Sequence, residues 1–399
     1  MGIFEREQIT FSLLTPYTFQ NASYRGTYSV FAEKDKINFH NHLYDEICFC
    51  GGGLFALNNV TIGINFHWQQ DEQQTFKGEL KLLAHHGKII AINIIDIEDY
   101  LASVISSEMN ADSPIEFLKA HAVISRSWVL NAIKQRHRQA ADVGSSDTLT
   151  DGILRHIKIY ERDSHSLFDV CADDHCQRYQ GITRQTSDAA QKAVEDTRNQ
   201  ILMYDGEVCD TRFHKCCGGK TELFENCWAD QKHPYITSVN DPYCKQATQP
   251  QYKPLLKTVL NSFDATTTDF YYWTQDLSAD DIHRFIKEKI GVDVGQVRDI
   301  QPLKIGESGR ITELKIIGQK LTVIVGKELE IRKLLSPTHL YSSLFEIEHL
   351  TNAFRLHGKG WGHGVGLCQI GAAIMADKNF SYQQILNFYF PYAKLKTLI

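Results

Sequence analysis

The sequence predicts an α+β fold: a β-rich N-terminal region, a helical core with a glycine-rich loop, and a small inserted α+β module. Three observations predict this arrangement. The first hundred residues carry short apolar or alternating runs that Gly and Asn interrupt, as is typical of strands. Apolar residues at helical spacing then dominate as far as about residue 137. Later, residues 278–335 alternate again between helix and strand patterns.

Length and charge exclude several classes of protein. A chain of 399 residues suits two or three packed units. Its net charge of −6 provides no basic field for binding nucleic acid, whereas an uncharged glycan is compatible with it. No apolar run reaches the roughly 18–20 residues that a membrane span requires. The first residues lack the basic start and apolar stretch of a secretory signal, so the sequence predicts neither a span nor an export signal.

The helical core begins with two predicted helices that follow a buried strand. KIIAINIID predicts the strand, and IEDYLASVISSEM has helical spacing at Leu101, Val104 and Ile105. The second helix is predicted from Pro114 to about residue 136. Ser113 and Glu116 have the spacing of a capping box at its start.

The rest of the chain is assigned by composition and local signals. Residues 138–160 resemble a surface connection, and residues 239–258 resemble a linker because they hold three of the nine prolines. SADDIHRFIKEKIG and SYQQILNFYFPYA predict amphipathic helices, with another over residues 369–376. The predicted domain organisation is 1–80 as the β-rich N-terminal region, 81–250 as the first part of the core with a Cys/His cluster, 251–350 as the inserted module, and 351–399 as the second part of the core.

Glu108 is the candidate acid. It lies between the two helices, and a carboxylate in such a corner is partly desolvated, which raises its pKa and suits it to general-acid work. Lys119 and Arg126 share one face of the second helix, where a cation can hold the carboxylate or bind substrate hydroxyls. The alternatives are a solvated loop glutamate and a solvated basic stripe.

The segment LHGKGWGHGVGLCQIGA carries glycine at every second position from Gly358 to Gly366. This pattern fits neither a helix nor a dinucleotide-binding fingerprint, and it predicts a loop that something approaches closely. Trp361 can stack on a sugar face, while His363 and Gln369 can bind hydroxyls. A purely structural glycine loop with a buried histidine is the alternative.

Two segments raise the question of metal or nucleotide binding. His165, Cys171, His175 and Cys176 offer imidazole and thiolate ligands that suit zinc, although a disulfide or free buried thiols remain open. HKCCGGKT resembles a phosphate-binding loop, but His214 occupies the position of the required first glycine, which excludes nucleotide binding. Cys216, Cys217 and His214 either join a metal site or pack structurally, and they are interpreted as structural.

Together these segments resemble the SpoIID/LytB family, the stage II sporulation protein D group of bacterial cell-wall proteins. The resemblance runs from about residue 80 to the C-terminus. It departs at Arg178, where the family commonly has a hydrophobic residue, and at Cys368, where serine is usual. The segments that carry it are IEDYLASVISSEMNADSPIEFLKAHAVISRSWVL, HCQRYQG, CCGGKT and HGKGWGHGVGLCQIGAAIMA.

The resemblance implies a lytic transglycosylase that cleaves peptidoglycan strands lacking stem peptides and leaves 1,6-anhydro ends. It implies Glu108 as the single acid/base, and structural zinc held by His165, Cys171 and Cys176. It also implies extracytoplasmic action, in the periplasm or cell wall. The residues expected to bind substrate are Arg126, Lys119, Trp361, His363 and Gln369.

Two other functions stay open at this point. A non-catalytic protein that binds glycan and enhances a cell-wall amidase would not need Glu108. A zinc hydrolase would use the Cys/His cluster, but thiolate-rich sites are more typical of structural metal.

Overall fold

The computed structural model describes residues 1–64, 69–136, 146–160, 165–173, 175–185, 187–261 and 269–398, and it confirms the predicted α+β class. The strands are β1 (Gly2–Arg6), β2 (Gln8–Phe19), β3 (Ala22–Glu33), β4 (Lys36–Phe39), β5 (His42–Tyr44), β6 (Glu46–Phe49), β7 (Leu54–Ile62), β8 (Gln70–Lys77), β9 (Glu79–His85), β10 (Lys88–Ile94), β11 (Ser146–Thr150), β12 (Ile153–Ile157), β13 (Gln200–Tyr204), β14 (Glu207–Val208), β15 (Phe213–His214), β16 (Tyr272–Ser278), β17 (Val297–Ile305), β18 (Ile311–Gly318), β19 (Thr322–Gly326), β20 (Phe345–Leu350), β21 (Ala353–Lys359), β22 (Leu367–Cys368) and β23 (Lys394–Thr397). The α-helices are α1 (Ile97–Glu108), α2 (Ile115–Arg136), α3 (Ala189–Asp196), α4 (Pro242–Gln246), α5 (Lys253–Val259), α6 (Ala279–Ile290), α7 (Glu328–Leu334), α8 (Gln369–Asp377) and α9 (Tyr382–Tyr389). Among the described helices, none has the length and apolar character that crossing a membrane requires.

The N-terminal region consists of two antiparallel sheets, with strand orders β1-β10-β9-β6 and β5-β4-β3-β2-β7-β8. Aromatic side chains pack between them; the Phe11 and Phe49 ring centroids, for example, are 5.2 Å apart. The strands continue past residue 80 to β10, the strand predicted from KIIAINIID, and five consecutive residues of β10 are buried. This buried strand leads directly into the helical core.

Helices α1 and α2 form where the sequence predicted them, but the predicted capping box is not made. Asp96 caps α1 by accepting a hydrogen bond from the Glu98 N–H at 2.8 Å. Ser113 Oγ instead donates to the Asn110 carbonyl, and Glu116 accepts from the Tyr382 N–H at 2.8 Å. The Glu116 carboxylate, which the capping box would have used, therefore binds the first turn of α9 instead.

A parallel bridge joins distant parts of the core. Strand β15 pairs with β22, so that Phe213 lies opposite Leu367 and His214 opposite Cys368. Helix α8 begins directly after β22 and is buried over almost its whole length. The bridge places the end of the glycine-rich loop beside the residues that precede Cys216.

The inserted module has a hydrophobic cluster of its own, formed by Leu154 and by residues between Trp273 and Leu356. Its sheets have the orders β11-β12-β19-β18-β17 and β16-β21-β20. Within the predicted surface connection, residues 146–157 are therefore strands, because β12 pairs in parallel with β19; residues 138–145 lie outside the described residues. The predicted domain limits stay a prediction.

The predicted linker is helical instead. Residues 242–246 and 253–259 form α4 and α5, and the intervening residues 250–252 form a single 3₁₀ turn. All three prolines occupy the first or second position of one of these turns, where the missing N–H removes no helical hydrogen bond. The amphipathic helix α6 forms as predicted, with Ser278 as its N-cap and Gly291 at φ 70° as its C-cap.

Candidate functional site

Glu108 is the last residue of α1, and only 8% of it is exposed. Its Oε1 accepts a hydrogen bond from the Arg178 backbone N–H at 2.9 Å. Its backbone carbonyl accepts another from Lys215 Nζ at 3.2 Å. One segment distant in sequence therefore orients the carboxylate, and a second one holds the backbone at the end of the helix.

The segment that carries the Arg178 amide is docked along α1. Tyr100 OH donates to Gln177 Oε1 at 2.9 Å, and the Gln180 N–H donates to Ser107 Oγ at 3.2 Å. Both contacts come from side chains on the same helix as Glu108. The HCQRYQG motif thus supplies a backbone donor to Glu108, and this role does not depend on the side chain of Arg178.

Lys215 was not among the predicted site residues. It follows β15, is largely buried, and places Nζ at 3.2 Å from both the Glu108 carbonyl oxygen and Met109 Sδ. The last carbonyls of a helix lack intrahelical donors and form the negative end of its dipole, so a cation is favourable here. The sequence feature that could have indicated Lys215 is its position immediately before the paired cysteines of CCGGKT.

The glycine-rich loop adopts the left-handed backbone at alternate residues. Gly360, Gly362, Gly364 and Gly366 have φ values of 78°, 96°, 84° and 76°. A Cβ on Gly360 would lie 2.9 Å from the Cys216 carbonyl oxygen, and one on Gly366 would lie 2.1 Å from that of Arg212. The glycines therefore allow the loop to pack directly against the 212–218 backbone, the close approach that their spacing predicted.

Trp361 and His363 alternate with these glycines. The Trp361 ring stacks on Tyr341 at 4.2 Å between centroids, and its backbone N–H donates to the Cys216 carbonyl at 2.7 Å. The His363 ring lies 5.6 Å from that of His214 and 4.8 Å from that of Trp228. Each of the two predicted side chains thus lies within a group of aromatic rings.

His363 is a neutral imidazole. Desolvation and the neighbouring His214 lower its pKa well below the usual range. Its Nδ1 accepts a hydrogen bond from the Val365 N–H at 3.0 Å, so the ring proton resides on Nε2. His363 can therefore donate one hydrogen bond to a ligand hydroxyl.

Gln369 is buried and contacts His121 rather than Glu108. Its Nε2 lies 3.1 Å from His121 Nε2, while His121 Nδ1 lies 3.2 Å from Ser125 Oγ. Burial, together with the nearby Lys215, lowers the pKa of His121 to about 3, so this imidazole is neutral. Gln369 thus joins α8 to α2 in the interior.

The structure does not bring Arg126 and Lys119 together with Glu108. Arg126 is 1% exposed, and its guanidinium pairs through two hydrogen bonds with Glu98 at the opposite end of α1. It also donates to the Gln200 carbonyl at 3.0 Å. Lys119 pairs with Glu116 at 3.3 Å and with Asp196 at 3.0 Å. The burial of Arg126 favours a positioning role over contact with a glycan.

The predicted metal ligands lie together, and His175 joins them. The ligand atoms of His165, Cys171, His175 and Cys176 all lie within 4.8 Å of one another. Cys176 Sγ is 3.5 Å from His165 Nε2 and 3.5 Å from His175 Nδ1. Tetrahedral zinc with bonds of about 2.3 Å to sulfur and 2.0 Å to nitrogen sets such ligand atoms about 3.5 Å apart, so the donor set fits zinc.

The β17–β18 hairpin of the inserted module packs against the glycine-rich loop. The carboxylate of Glu222 accepts hydrogen bonds from the Glu307 and Ser308 N–H groups at 3.2 and 3.1 Å. Arg310, which is completely buried, donates to the carbonyls of Cys217 and Gly362 at 3.0 and 3.1 Å. The tip of the β17–β18 hairpin is thereby fastened to both glycine-containing segments, a role that no local pattern predicted.

Known families match both halves of this arrangement. The family described as "Stage II sporulation protein", SpoIID, matches residues 85–204, which include Glu108 and the Cys/His cluster. A family described as "Domain of unknown function (DUF8618)" matches residues 222–366, from the buried Glu222 to the last glycine of the loop.

Curated relatives cover most of the chain. An uncharacterized protein of Brachyspira hyodysenteriae is 29% identical over 79% of this chain and 70% of its own length. Stage II sporulation protein D of Bacillus subtilis is 25% identical over 75% of this chain and 74% of its own length. The amidase enhancer of Bacillus subtilis is 25% identical over 50% of this chain, and the match spans 31% of that longer protein. These findings confirm the resemblance of this chain to the SpoIID/LytB family.

Proposed function

We propose that this protein is a peptidoglycan lytic transglycosylase in which Glu108 is the only acid/base. The similarity to SpoIID-family proteins supports a peptidoglycan-related cell-wall function. The observation that carries the finer proposal is the position of Glu108 at the buried end of α1, with Oε1 held by the Arg178 amide. Such a carboxyl group is fixed in orientation before substrate binds, as general acid–base catalysis requires.

A mechanism with one carboxylate is consistent with the geometry of α1. Conventional glycosidases place two carboxyl groups about 5–9.5 Å apart. Glu98, the other buried glutamate of α1, lies ten residues earlier, which is about 15 Å along the helix axis. Its oxygens are already bound by Arg126. Glu98 is therefore unsuited to act as a second catalytic carboxylate.

The substrate supplies the nucleophile in this proposal. The Glu108 carboxyl group donates its proton to the glycosidic oxygen as the bond from that oxygen to the anomeric carbon breaks. The resulting carboxylate then accepts the proton of the C6 hydroxyl as its oxygen bonds to the anomeric carbon. No water is consumed, Glu108 regains its proton, and the product carries a 1,6-anhydro ring. Intramolecular attack provides the proximity that a second residue would otherwise supply.

The glycine-rich loop would contribute glycan contacts. Trp361 offers an aromatic face, although part of it is covered by Tyr341, and His363 offers one N–H donor. Lys215 would hold the end of α1 rather than the sugar. Arg126, Lys119 and Gln369, which were expected to bind substrate, act in this proposal by keeping α1, α2 and α8 in place.

Product analysis tests the proposal directly. Purified peptidoglycan strands without stem peptides are incubated with the protein and analysed by mass spectrometry. We expect fragments with 1,6-anhydro ends. Each should be lighter than the corresponding hydrolysis product by the mass of one water, about 18 Da, because the C6 hydroxyl takes the place of water as the nucleophile. Reducing ends would mean hydrolysis. No fragments, together with stimulation of an added cell-wall amidase, would identify the alternative, an enhancer like the relative of that name.

His165, Cys171, His175 and Cys176 would hold a structural zinc ion in this proposal. A bound zinc ion neutralises thiolate charge and crosslinks the segment, here residues 165–176. The crosslinked segment leads directly to the Arg178 amide that binds Glu108. The metal would thus fix the position of the acid without taking part in the reaction, and action outside the cytoplasm is part of the same proposal.

Replacing Cys176 by serine is expected to remove one equivalent of zinc per chain and to lower the melting temperature. The physical reason is that Cys176 contacts both histidines of the set, so its loss removes the central ligand. Elemental analysis of the purified protein gives the zinc content, and circular dichroism gives the melting temperature. Cys227→Ser is the control, because that buried cysteine lies outside the set and serine can also donate to the His363 carbonyl. Unchanged zinc content in Cys176→Ser would contradict the assignment.

A further inference from the structure

A second set of ligands lies behind the glycine-rich loop, in the interior of the core. Cys217, Asp241, Cys244 and Cys368 each place one ligand atom within 4.8 Å of the other three. The three cysteines are completely buried and Asp241 is 1% exposed. The first Cys/His cluster, by contrast, is partly exposed. The two sets share no residue.

We infer that Cys217, Asp241, Cys244 and Cys368 bind a second zinc ion. Cys217 Sγ lies 3.3 Å from Cys244 Sγ and 3.3 Å from Asp241 Oδ2. Zinc bonds of about 2.3 Å to sulfur and 2.0–2.2 Å to a carboxylate oxygen set such atoms about 3.5–3.8 Å apart in a tetrahedron. All four ligand atoms lie within 4.8 Å of one another, a spacing that suits a single ion.

Neighbouring donors are arranged as they are around metal-bound thiolates. The Cys368 sulfur accepts hydrogen bonds from the Cys217 and Gly371 N–H groups at 3.3 and 3.4 Å. The Cys217 sulfur accepts one from the Gly219 N–H at 3.3 Å. Cys368 is also the N-cap of the nine-residue helix α8, whose dipole favours a negative charge there. These contacts stabilise thiolate sulfur in a part of the core where water is excluded.

Asp241 is oriented as a carboxylate ligand. Its Oδ1 accepts the Tyr243 and Cys244 N–H groups at 2.8 and 3.2 Å, which leaves Oδ2 facing the thiols. Tyr389 OH donates to that same Oδ2 at 2.9 Å, the kind of outer hydrogen bond that orients a metal-bound carboxylate. Gly371 leaves the necessary space, because a Cβ there would lie 2.4 Å from Oδ2.

Charge explains why a cation suits this site better than a disulfide. A Cys217–Cys244 disulfide would leave the Asp241 carboxyl group in the interior with hydrogen-bond donors but no cation paired with it among the described residues. A divalent cation binds all four ligands at once, offsets two of the four negative charges of three thiolates and one carboxylate, and releases the thiol protons to solvent. Cys216 interacts with Cys244 and Cys368 but does not belong to the four-atom set, so its role is packing next to the site.

Zinc content in a variant that lacks the first site tests this inference. The variant Cys171→Ser/Cys176→Ser, made as the full chain in a reducing cytoplasm with zinc supplied, is expected to retain one zinc per chain. Adding Cys244→Ser is expected to remove that zinc. Adding Cys209→Ser is the control, since Cys209 is equally buried but belongs to neither set, and one zinc should remain.

Cobalt replacement keeps the test decisive if Cys244→Ser does not fold. The Cys171→Ser/Cys176→Ser variant with Co²⁺ in place of zinc is expected to show a thiolate-to-cobalt charge-transfer band in the near ultraviolet. A folded variant that binds neither zinc nor cobalt would overturn the inference. A Cys217–Cys244 disulfide found by peptide mass in that variant would also overturn it. All of these results are independent of whether the protein cleaves glycan.

Discussion

Replacing Glu108 by glutamine is expected to lower the rate of glycan cleavage by about 10²–10⁴-fold, the usual contribution of a general acid or base. The amide has nearly the shape of the carboxyl group, and its oxygen can still accept the hydrogen bond from the Arg178 N–H. It cannot, however, donate the proton to the glycosidic oxygen or take the proton of the C6 hydroxyl. Release of anhydro fragments from denuded glycan, measured over time, gives the rate.

The same substitution at an exposed glutamate provides the control. Glu195 lies on the surface of α3, and Glu195→Gln should cleave glycan at the rate of the unaltered protein. Thermal unfolding of both variants shows whether the fold is intact. Full activity in a folded Glu108→Gln variant would exclude Glu108 as the acid/base and would favour a binding protein.

Replacing Arg126 by methionine is expected to lower the free energy of unfolding by about 3–5 kcal/mol, because it leaves the Glu98 charge buried without a partner. The double variant Arg126→Met/Glu98→Leu should recover much of this loss, since apolar pairs of similar volume replace buried ion pairs well. Urea denaturation followed by circular dichroism measures the free energies.

The Lys119→Met variant helps to distinguish the two roles considered for the basic residues of α2, which are positioning of the helices and direct contact with substrate. Lys119, on the same helix as Arg126, forms more exposed pairs with Glu116 and with Asp196 of α3, and such pairs contribute only about 0–1 kcal/mol. A small effect at Lys119 beside a large effect at Arg126 is therefore expected. An Arg126→Met variant of unchanged stability whose KM for glycan is raised would contradict the positioning role and indicate direct substrate contact.

Local signals predicted helices α1, α2, α6, α8 and α9, because each of these helices is marked by the pattern of its own neighbouring residues. Ser278 and Gly291 delimit α6, and Ser381 caps α9 in a capping box with Gln384. Strands β11 and β12 were missed because β12 forms by parallel pairing with β19, which lies more than 160 residues later, and no local pattern reports such a partner. The prolines of residues 239–258 were misread for a different reason. Proline indicates a break when it is inside a helix but not when it begins one.

The sequence indicated Glu108 and the glycine-rich loop as candidates, but not the contacts that assemble the segments around them. The motif containing Glu108 and the spacing of the glycines are visible in the chain. The Arg178 amide is not, because any residue could supply that N–H and only the docking of the segment aims it at Glu108. Lys215, Glu222 and Arg310 are common residue types whose roles arise from contacts across 85 to 107 positions. Sequence patterns report local periodicity, and these roles depend on tertiary packing.

The β15–β22 bridge has a consequence for how the protein is made. Lys215 directly follows β15, whose only described pairing partner is β22, and β22 lies in the last tenth of the chain. A growing polypeptide that has already produced Glu108, the Cys/His cluster and the whole inserted module still lacks this support. By this reasoning the proposed catalytic site lacks this support throughout almost all of translation. A chain interrupted before Leu367 would then lack the β15–β22 pairing and would leave the proposed acid/base without the support of Lys215.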